Sequence, residues 1–209
     1  MSGYNHSLIY WPLRAGTAII NPVVNQFGTL GFIGTSDGLD RWIVSCFHVL
    51  CRLEGPMPAG VRERIYYSTD VSRATPIAVV DGSKADQALD CAAAITLSPN
   101  VSRDILAIGA LAAPGEPRLG MRVLKSGGAT GVTEGVVTEI QADRCFVESP
   151  GYPKRYELSE GGDSGALWVS ASDNAPIGLH IAGNADEGPA RAVVIRIDRV
   201  LETLKLKMA

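Results

Sequence analysis

The sequence predicts an all-β chain of two six-stranded barrels side by side, followed by a C-terminal helix. Three observations carry this. Short apolar runs rich in Val, Ile, Thr and Ala recur along the chain, each bounded by Gly, Pro, Asp or Asn. The 23 glycines and 12 prolines are about one residue in six, against roughly 12% in average usage, and so mark many turns. The runs fall into two sets, separated by the turn-rich Pro114-Gly-Glu-Pro117.

The first set comprises 17–21, 28–35, 41–46, 64–69, 76–81 and 90–97. The second comprises 121–125, 135–140, 145–148, 166–170, 177–182 and 191–197. Only the tail reads as helix. Asp198 is placed to cap it, and Val200, Leu201, Leu204 and Met208 roughly share one face. The chain thus divides into an N-terminal arm with the first barrel (1–113) and a second barrel with the helix (118–209).

Composition sets the function classes aside or keeps them. The chain has 209 residues, 46% hydrophobic and 20% charged, with a net charge of -3. That is apolar enough to bury a core and too apolar for disorder. Without a basic excess, non-specific nucleic-acid binding is not expected. No stretch nears the ~20 apolar residues of a membrane span. The opening MSGYNHSLIYWPLR lacks a basic start, an apolar core and a small-residue cleavage site, so no secretory signal is read and a cytoplasmic location is expected. Cys46, Cys51, Cys91 and Cys145 are spaced 5, 40 and 54 apart, without paired C-x-x-C clips, and there are three histidines. This argues against a structural zinc site and for reduced, buried thiols, so neither a metal nor a cofactor is expected.

The strongest local signal is Gly161-Gly162-Asp163-Ser164-Gly165, just before an apolar strand. Glycines beside a serine remove side-chain bulk, so a carbonyl can approach the hydroxyl and backbone closely. The Gly162 and Ser164 amides could then converge as an oxyanion hole. The same residues also suit an ordinary hairpin turn. A serine needs a base to act as nucleophile. His48 is the candidate, at the end of the apolar run Arg41–Leu50, where a satisfied core histidine is the other reading. His6 lies in a polar arm, where solvation accounts for it. A base needs an orienting carboxylate. Asp90 opens an otherwise apolar strand, where burial without a partner is costly, whereas Asp81 and Asp86 sit in polar turn sequence.

At these residues the chain resembles the chymotrypsin-like (trypsin-like) serine proteases, over nearly its whole length. Gly162-Asp-Ser-Gly165 is similar to their nucleophile motif, and Ser45-Cys-Phe-His-Val49 to the histidine motif of bacterial members. Asp90-Cys-Ala-Ala-Ala94 stands where the family has its Asp. Lys125-Ser-Gly-Gly-Ala-Thr-Gly131 with Gly135-Val-Val-Thr138 resembles a further bacterial segment, and Gly178-Leu-His-Ile-Ala-Gly183 the strand lining the substrate pocket. The resemblance implies two antiparallel barrels with the site in the cleft between them. It implies peptide hydrolysis through an acyl-enzyme by His48, Asp90 and Ser164, with Gly162 and Ser164 as oxyanion donors.

The resemblance also places Leu158 at the base of the primary pocket, with His180, Ala182 and Gly183 along it. Leu158 is not an acid, so cleavage after Lys or Arg is not expected. His180 matches a histidine that contacts Glu or Gln in glutamate-specific and viral relatives, and an apolar pocket around Leu158 is the alternative. No Ile-Val-Gly-Gly start is present, so the freed N-terminus that pairs with the acid at Asp163 in secreted members has no counterpart. The expected partner is a protein or peptide substrate, selected as a dedicated target, with the enzyme either made active or regulated by a partner protein. A catalytically silent binding module of the same fold, and an unrelated β-barrel carrier or structural protein whose turns mimic the motifs, are the alternatives.

Overall fold

A computed structural model describes residues 12–52, 63–70, 75–149, 158–184 and 190–209. The first half holds β1 (Leu13–Ala15), β2 (Ala18–Asn21), β3 (Gln26–Thr29), β4 (Phe32–Thr35), β5 (Trp42–Ser45), the short helix α1 (Phe47–Leu50), β6 (Arg64–Tyr67), β7 (Ala78–Asp86), β8 (Cys91–Thr96), β9 (Val101–Ile105) and β10 (Gly109–Ala110). The second holds β11 (Arg122–Gly127), β12 (Gly131–Ile140), β13 (Arg144–Glu148), β14 (Leu167–Ser170), β15 (Pro176–Asn184), β16 (Arg191–Arg196), α2 (Ile197–Leu204) and β17 (Lys207–Met208).

The second half closes into a six-stranded barrel in the order β11-β12-β13-β16-β15-β14. All six of its strands fall on the runs read from sequence. The first half is an open eight-stranded sheet, β17-β4-β5-β8-β7-β6-β2-β3, beside a small sheet of β1, β9 and β10. Its edge is completed by the C-terminus, as Lys207 and Met208 pair with Thr35 and Gly34. Met208 therefore lies in a strand and not on the helix face. Nor does Asp198 cap α2: Arg196 is the N-cap and makes no side-chain cap bond. Asp198 sits in the first turn, where a negative charge suits the helix N-terminus, and accepts from Arg196 Nη2 at 2.9 Å.

Two further readings change. The run 28–35 is two strands, broken at Leu30-Gly31. A Cβ on Gly31 would lie 2.3 Å from the Gly165 carbonyl, so the break brings this backbone against the Ser164 loop. The run ending in His48 leaves the strand after Ser45 and turns into α1, with Leu50 N–H donating to the Cys46 carbonyl at 3.1 Å.

β14 explains how the halves share an interior. All four of its residues are buried, and alternate side chains face opposite ways. Leu167 and Val169 join a core with Phe32, Ile43, Val49 and Ala93 of the first half. Trp168 turns the other way, into the barrel's own core with Val123, Val137, Val147 and Leu158. The four cysteines are free and buried.

Candidate active site

His48 is held by one carboxylate at two points. Its backbone N–H donates to Asp90 Oδ1 at 3.0 Å, and its ring Nδ1 lies 2.7 Å from Asp90 Oδ2. The pair is half-buried, the side chains being 27% and 24% exposed. Asp90 sits in the turn before β8 with φ of 54°, a conformation few residues other than glycine adopt. With Nδ1–H given to Asp90, a neutral ring leaves Nε2 as its acceptor. Asp81 and Asp86 lie on β7. They are used locally, accepting from the backbone N–H groups of Ser83 and Leu89.

Ser164 is half-buried and occupies a tight loop. Its carbonyl accepts from Thr29 N–H at 2.7 Å. The same end of β3 touches the helix of His48: a Cβ on Gly28 would fall 2.4 Å from Val49 Cγ1 and 3.0 Å from the Ser164 carbonyl. The loop's glycines are needed for geometry. Gly162 has φ of 110° and Gly165 of 92°. A Cβ on Gly165 would strike Ser45 Oγ at 2.0 Å. Thr29 Oγ1 donates to the Gly162 carbonyl at 2.8 Å, fixing the next peptide. Among the described residues, neither the Gly162 nor the Ser164 amide N–H donates to another group.

Beneath the loop, Asp163 is fully buried and takes five hydrogen bonds. Lys125 Nζ donates at 2.7 Å and Thr130 Oγ1 at 2.6 Å; the amides of Ala129, Thr130 and Glu160 complete the set. Burial pushes the Asp163 carboxyl up, but the Lys125 charge and the Lys125 and Thr130 hydrogen bonds outweigh it and hold it below its ordinary value. The motif Lys125–Gly131 thus has a physical role: its lysine, threonine and two amides anchor the residue before Ser164. Gly127 is part of that fit, since a Cβ there would lie 2.2 Å from Asp163 Oδ1. Sequence reasoning missed this pairing. The available signal was a lysine inside an apolar strand, which must find an anion if buried.

The proposed pocket residues separate. Leu158 is buried in the barrel core, and its carbonyl accepts from Thr133 Oγ1. His180 is 2% exposed. Ala182 and Gly183 are exposed, and a Cβ on Gly183 would fall 2.3 Å from Ser159 Oγ, so the end of β15 runs beside the chain that leads to Ser164. The His180 backbone is tied to the loop, its carbonyl accepting from Gly165 N–H at 2.7 Å and its N–H donating to Ala166 at 2.8 Å. Cys46 Sγ donates to the same His180 carbonyl at 3.1 Å. Burial lowers the His180 pKa to about 3, and the charges of Lys125 and His48 add to this. His6 lies outside the described residues.

One cluster has metal-ligand chemistry: atoms of Cys46, His48 and Asp90 lie within 4.8 Å of one another. Nδ1 and the carboxylate are already joined. Burial, then the charges of Asp90 and Cys91, pushes the Cys46 thiol up and keeps it protonated, which makes it a poor ligand.

The sequence matches no family profile and no curated protein. Solved structures do match. A glutamic-acid-specific serine protease that uses a histidine triad in substrate binding aligns with a TM-score of 0.71 at 18% identity, over 94% of this chain and 100% of that one. The chain has the chymotrypsin-like fold. Protease A of Thermobifida fusca aligns with a TM-score of 0.68 at 17% identity, over 94% of this chain and 98% of that one. An alpha-lytic protease homologue, N4, gives the same score and identity, over 94% and 99%. On this fold the closed barrel carries the Ser164 loop and the open sheet carries His48 and Asp90.

Proposed function

We propose that the chain is a serine endopeptidase in which Ser164 is the nucleophile, His48 the general base and Asp90 the residue that orients it. The observation that carries this is the two-point grip of Asp90 on His48, which leaves Nε2 free to take a proton. Ser164 stands in a loop whose carbonyl meets the Gly28-Thr29 end of β3, which also packs against the helix of His48. In this reading His48 takes the Ser164 proton as Oγ attacks the scissile carbonyl, and later gives it to the leaving amine. The Gly162 and Ser164 amides stabilise the tetrahedral oxyanion. Lys125 and Asp163 hold the loop in shape.

In this reading the primary pocket runs along His180, Ala182 and Gly183 and takes Glu or Gln, while Leu158 lies in the barrel core. A neutral imidazole can donate to either side chain. The glutamic-acid-specific structural relative supports an acidic residue at this place. That relative uses three histidines. This chain holds three in all, His6, His48 and His180, and His48 is engaged by Asp90. The four buried thiols fit a reducing, cytoplasmic setting and a dedicated protein target there.

Two assays test the reading. A fluorophosphonate probe should label Ser164 in the wild type and fail in His48→Ala. A peptide panel varying only the residue before the cut should be cleaved best with Gln or Glu. A preference for Phe or Leu would remove His180 from the pocket, and absence of both labelling and cleavage would leave a silent binding module.

A further inference from the structure

Two of the four buried thiols stand opposite each other on the strands that lead to His48 and from Asp90. In the β5–β8 ladder Trp42 lies opposite Ile95, Val44 opposite Ala93 and Ser45 opposite Ala92, the last pair. Cys46 is still extended, with φ of -66° and ψ of 150°, so one more step along the ladder sets it against Cys91. The kind of position follows from the hydrogen bonds. Thr96 N–H donates to the Arg41 carbonyl at 2.9 Å, which makes Arg41 and Thr96 a hydrogen-bonded pair. Such pairs alternate with open ones that exchange no hydrogen bond. Cys46 and Cys91 therefore take an open position, where side chains come closest. Both ends of this step are held. Ser45 pairs with Ala92 on one side, and on the other Asp90 Oδ1 accepts from the His48 N–H at 3.0 Å. Cys46 and Cys91 are each 0% exposed and belong to one core.

We propose that Cys46 and Cys91 form a conditional disulfide: two thiols in a reducing setting, and a staple between the segments of His48 and Asp90 when the chain folds in an oxidising one. Open pairs have Cα atoms about 4.5 Å apart, within the ~4.4–6.8 Å that a disulfide spans, so closure asks little of the backbone. The other thiols lack this placement. Cys145 lies in the core of the closed barrel, and Cys51 stands at the far end of α1. Cys46 Sγ donates to the His180 carbonyl at 3.1 Å. Losing that proton strands nothing, since Gly165 N–H donates to the same carbonyl at 2.7 Å. The oxidant is a small disulfide such as oxidised glutathione. The two thiols give up two protons and two electrons as their S–S bond forms, and the oxidant's S–S bond breaks to give two thiols. The exchange belongs to folding, while both sulfurs are within reach. Afterwards burial pushes both thiols above their ordinary value of 9.0, Cys91 to about 12, which leaves the reduced form inert. The staple encloses β6 and β7, a long stretch of chain whose closure restricts the unfolded state.

The test refolds the full chain from denaturant in two buffers, one with oxidised and reduced glutathione, the other with excess dithiothreitol. Free thiols are then alkylated, and joined peptides are mapped by non-reducing mass spectrometry. The oxidised sample should hold one disulfide, Cys46–Cys91, with Cys51 and Cys145 alkylated. Its Tm should lie about 5–10 °C above that of the reduced sample, the scale for closing a long loop in a chain of this size. That gap should vanish in Cys91→Ala and persist in Cys51→Ala. Because closure moves the backbone little, fluorophosphonate should label Ser164 at the same rate in both samples. The labelling alone rests on the peptidase reading above.

A map without a Cys46–Cys91 link, or one joining either cysteine to Cys51 or Cys145, would overturn the proposal. So would an oxidised chain no more stable than the reduced one, or one that loses labelling the reduced chain keeps. The map and the two melting curves need only the wild type and stand even should a variant not fold. A chain labelled in neither sample overturns the peptidase reading, while the map still decides the staple.

Discussion

His48–Asp90 and Lys125–Asp163 are both closed at 2.7 Å, yet the first pair is about a quarter exposed and the second is sealed at 0%. The first joins a short helix to a turn in the open sheet. The second joins a barrel strand to the loop of Ser164. In the proposed reading the base gains and loses a proton in each turnover and needs water and substrate within reach, and a partly exposed pair permits that change of charge. An anchor must hold one charge state throughout. Burial with five hydrogen bonds to Asp163 does so, since any change would strand a charge in the interior. The difference fits the proposed division, chemistry for the first pair and shape for the second.

Breaking the first pair should have the largest effect on rate. Asp90→Asn keeps the size of the side chain but turns an amide N–H toward Nδ1, which favours the wrong tautomer of His48. A loss of about 10⁴ in kcat is expected, with stability little changed, because a half-exposed pair contributes at most about 1 kcal/mol. Rates on a cleaved peptide and urea unfolding of the same sample check both halves. A matching loss of stability would blur the distinction between the pairs.

Breaking the second pair should act on the fold first. Lys125→Met leaves Asp163 buried and uncompensated, at a cost of about 3–5 kcal/mol in unfolding free energy. Guanidinium unfolding measures it. A loss below about 1 kcal/mol, the scale of an exposed pair, would mean that the anchor is not sealed in solution.

The smallest effect is the pH window of that anchor. The Asp163 carboxyl is held below its ordinary value of 3.8. A group lowered on folding stabilises fully above its unfolded value, and the contribution is lost as the pH falls through the folded one. The stability gap between the wild type and Asp163→Asn should therefore be flat from neutral pH down to about 4 and shrink below it. A gap that shrinks between pH 5 and 7 would point to a different group.

The two halves were unequally legible in the sequence. Every strand of the closed barrel coincides with an apolar run, because turn residues such as Gly128 and Asp143 bound its strands. The open sheet was harder. The run Trp42–Leu50 is mostly apolar, and periodicity alone cannot separate a buried strand from the helical turn that holds His48. The eighth strand comes from the far end of the chain, and nothing near Lys207 announces a partner at Thr35. The residues His48, Asp90 and Ser164 stood out by chemical type. The parts that hold them did not. Thr29 and Lys125 act by long-range contacts, which are set by the fold and not by spacing.

The most direct test of the account is a peptide-library digest by the wild type and by Ser164→Ala, with cut sites read by mass spectrometry. The account predicts cuts that share Gln or Glu before the scissile bond and that vanish in Ser164→Ala. Cuts that survive in the variant, or a wild type that makes none and takes up no fluorophosphonate, would contradict it.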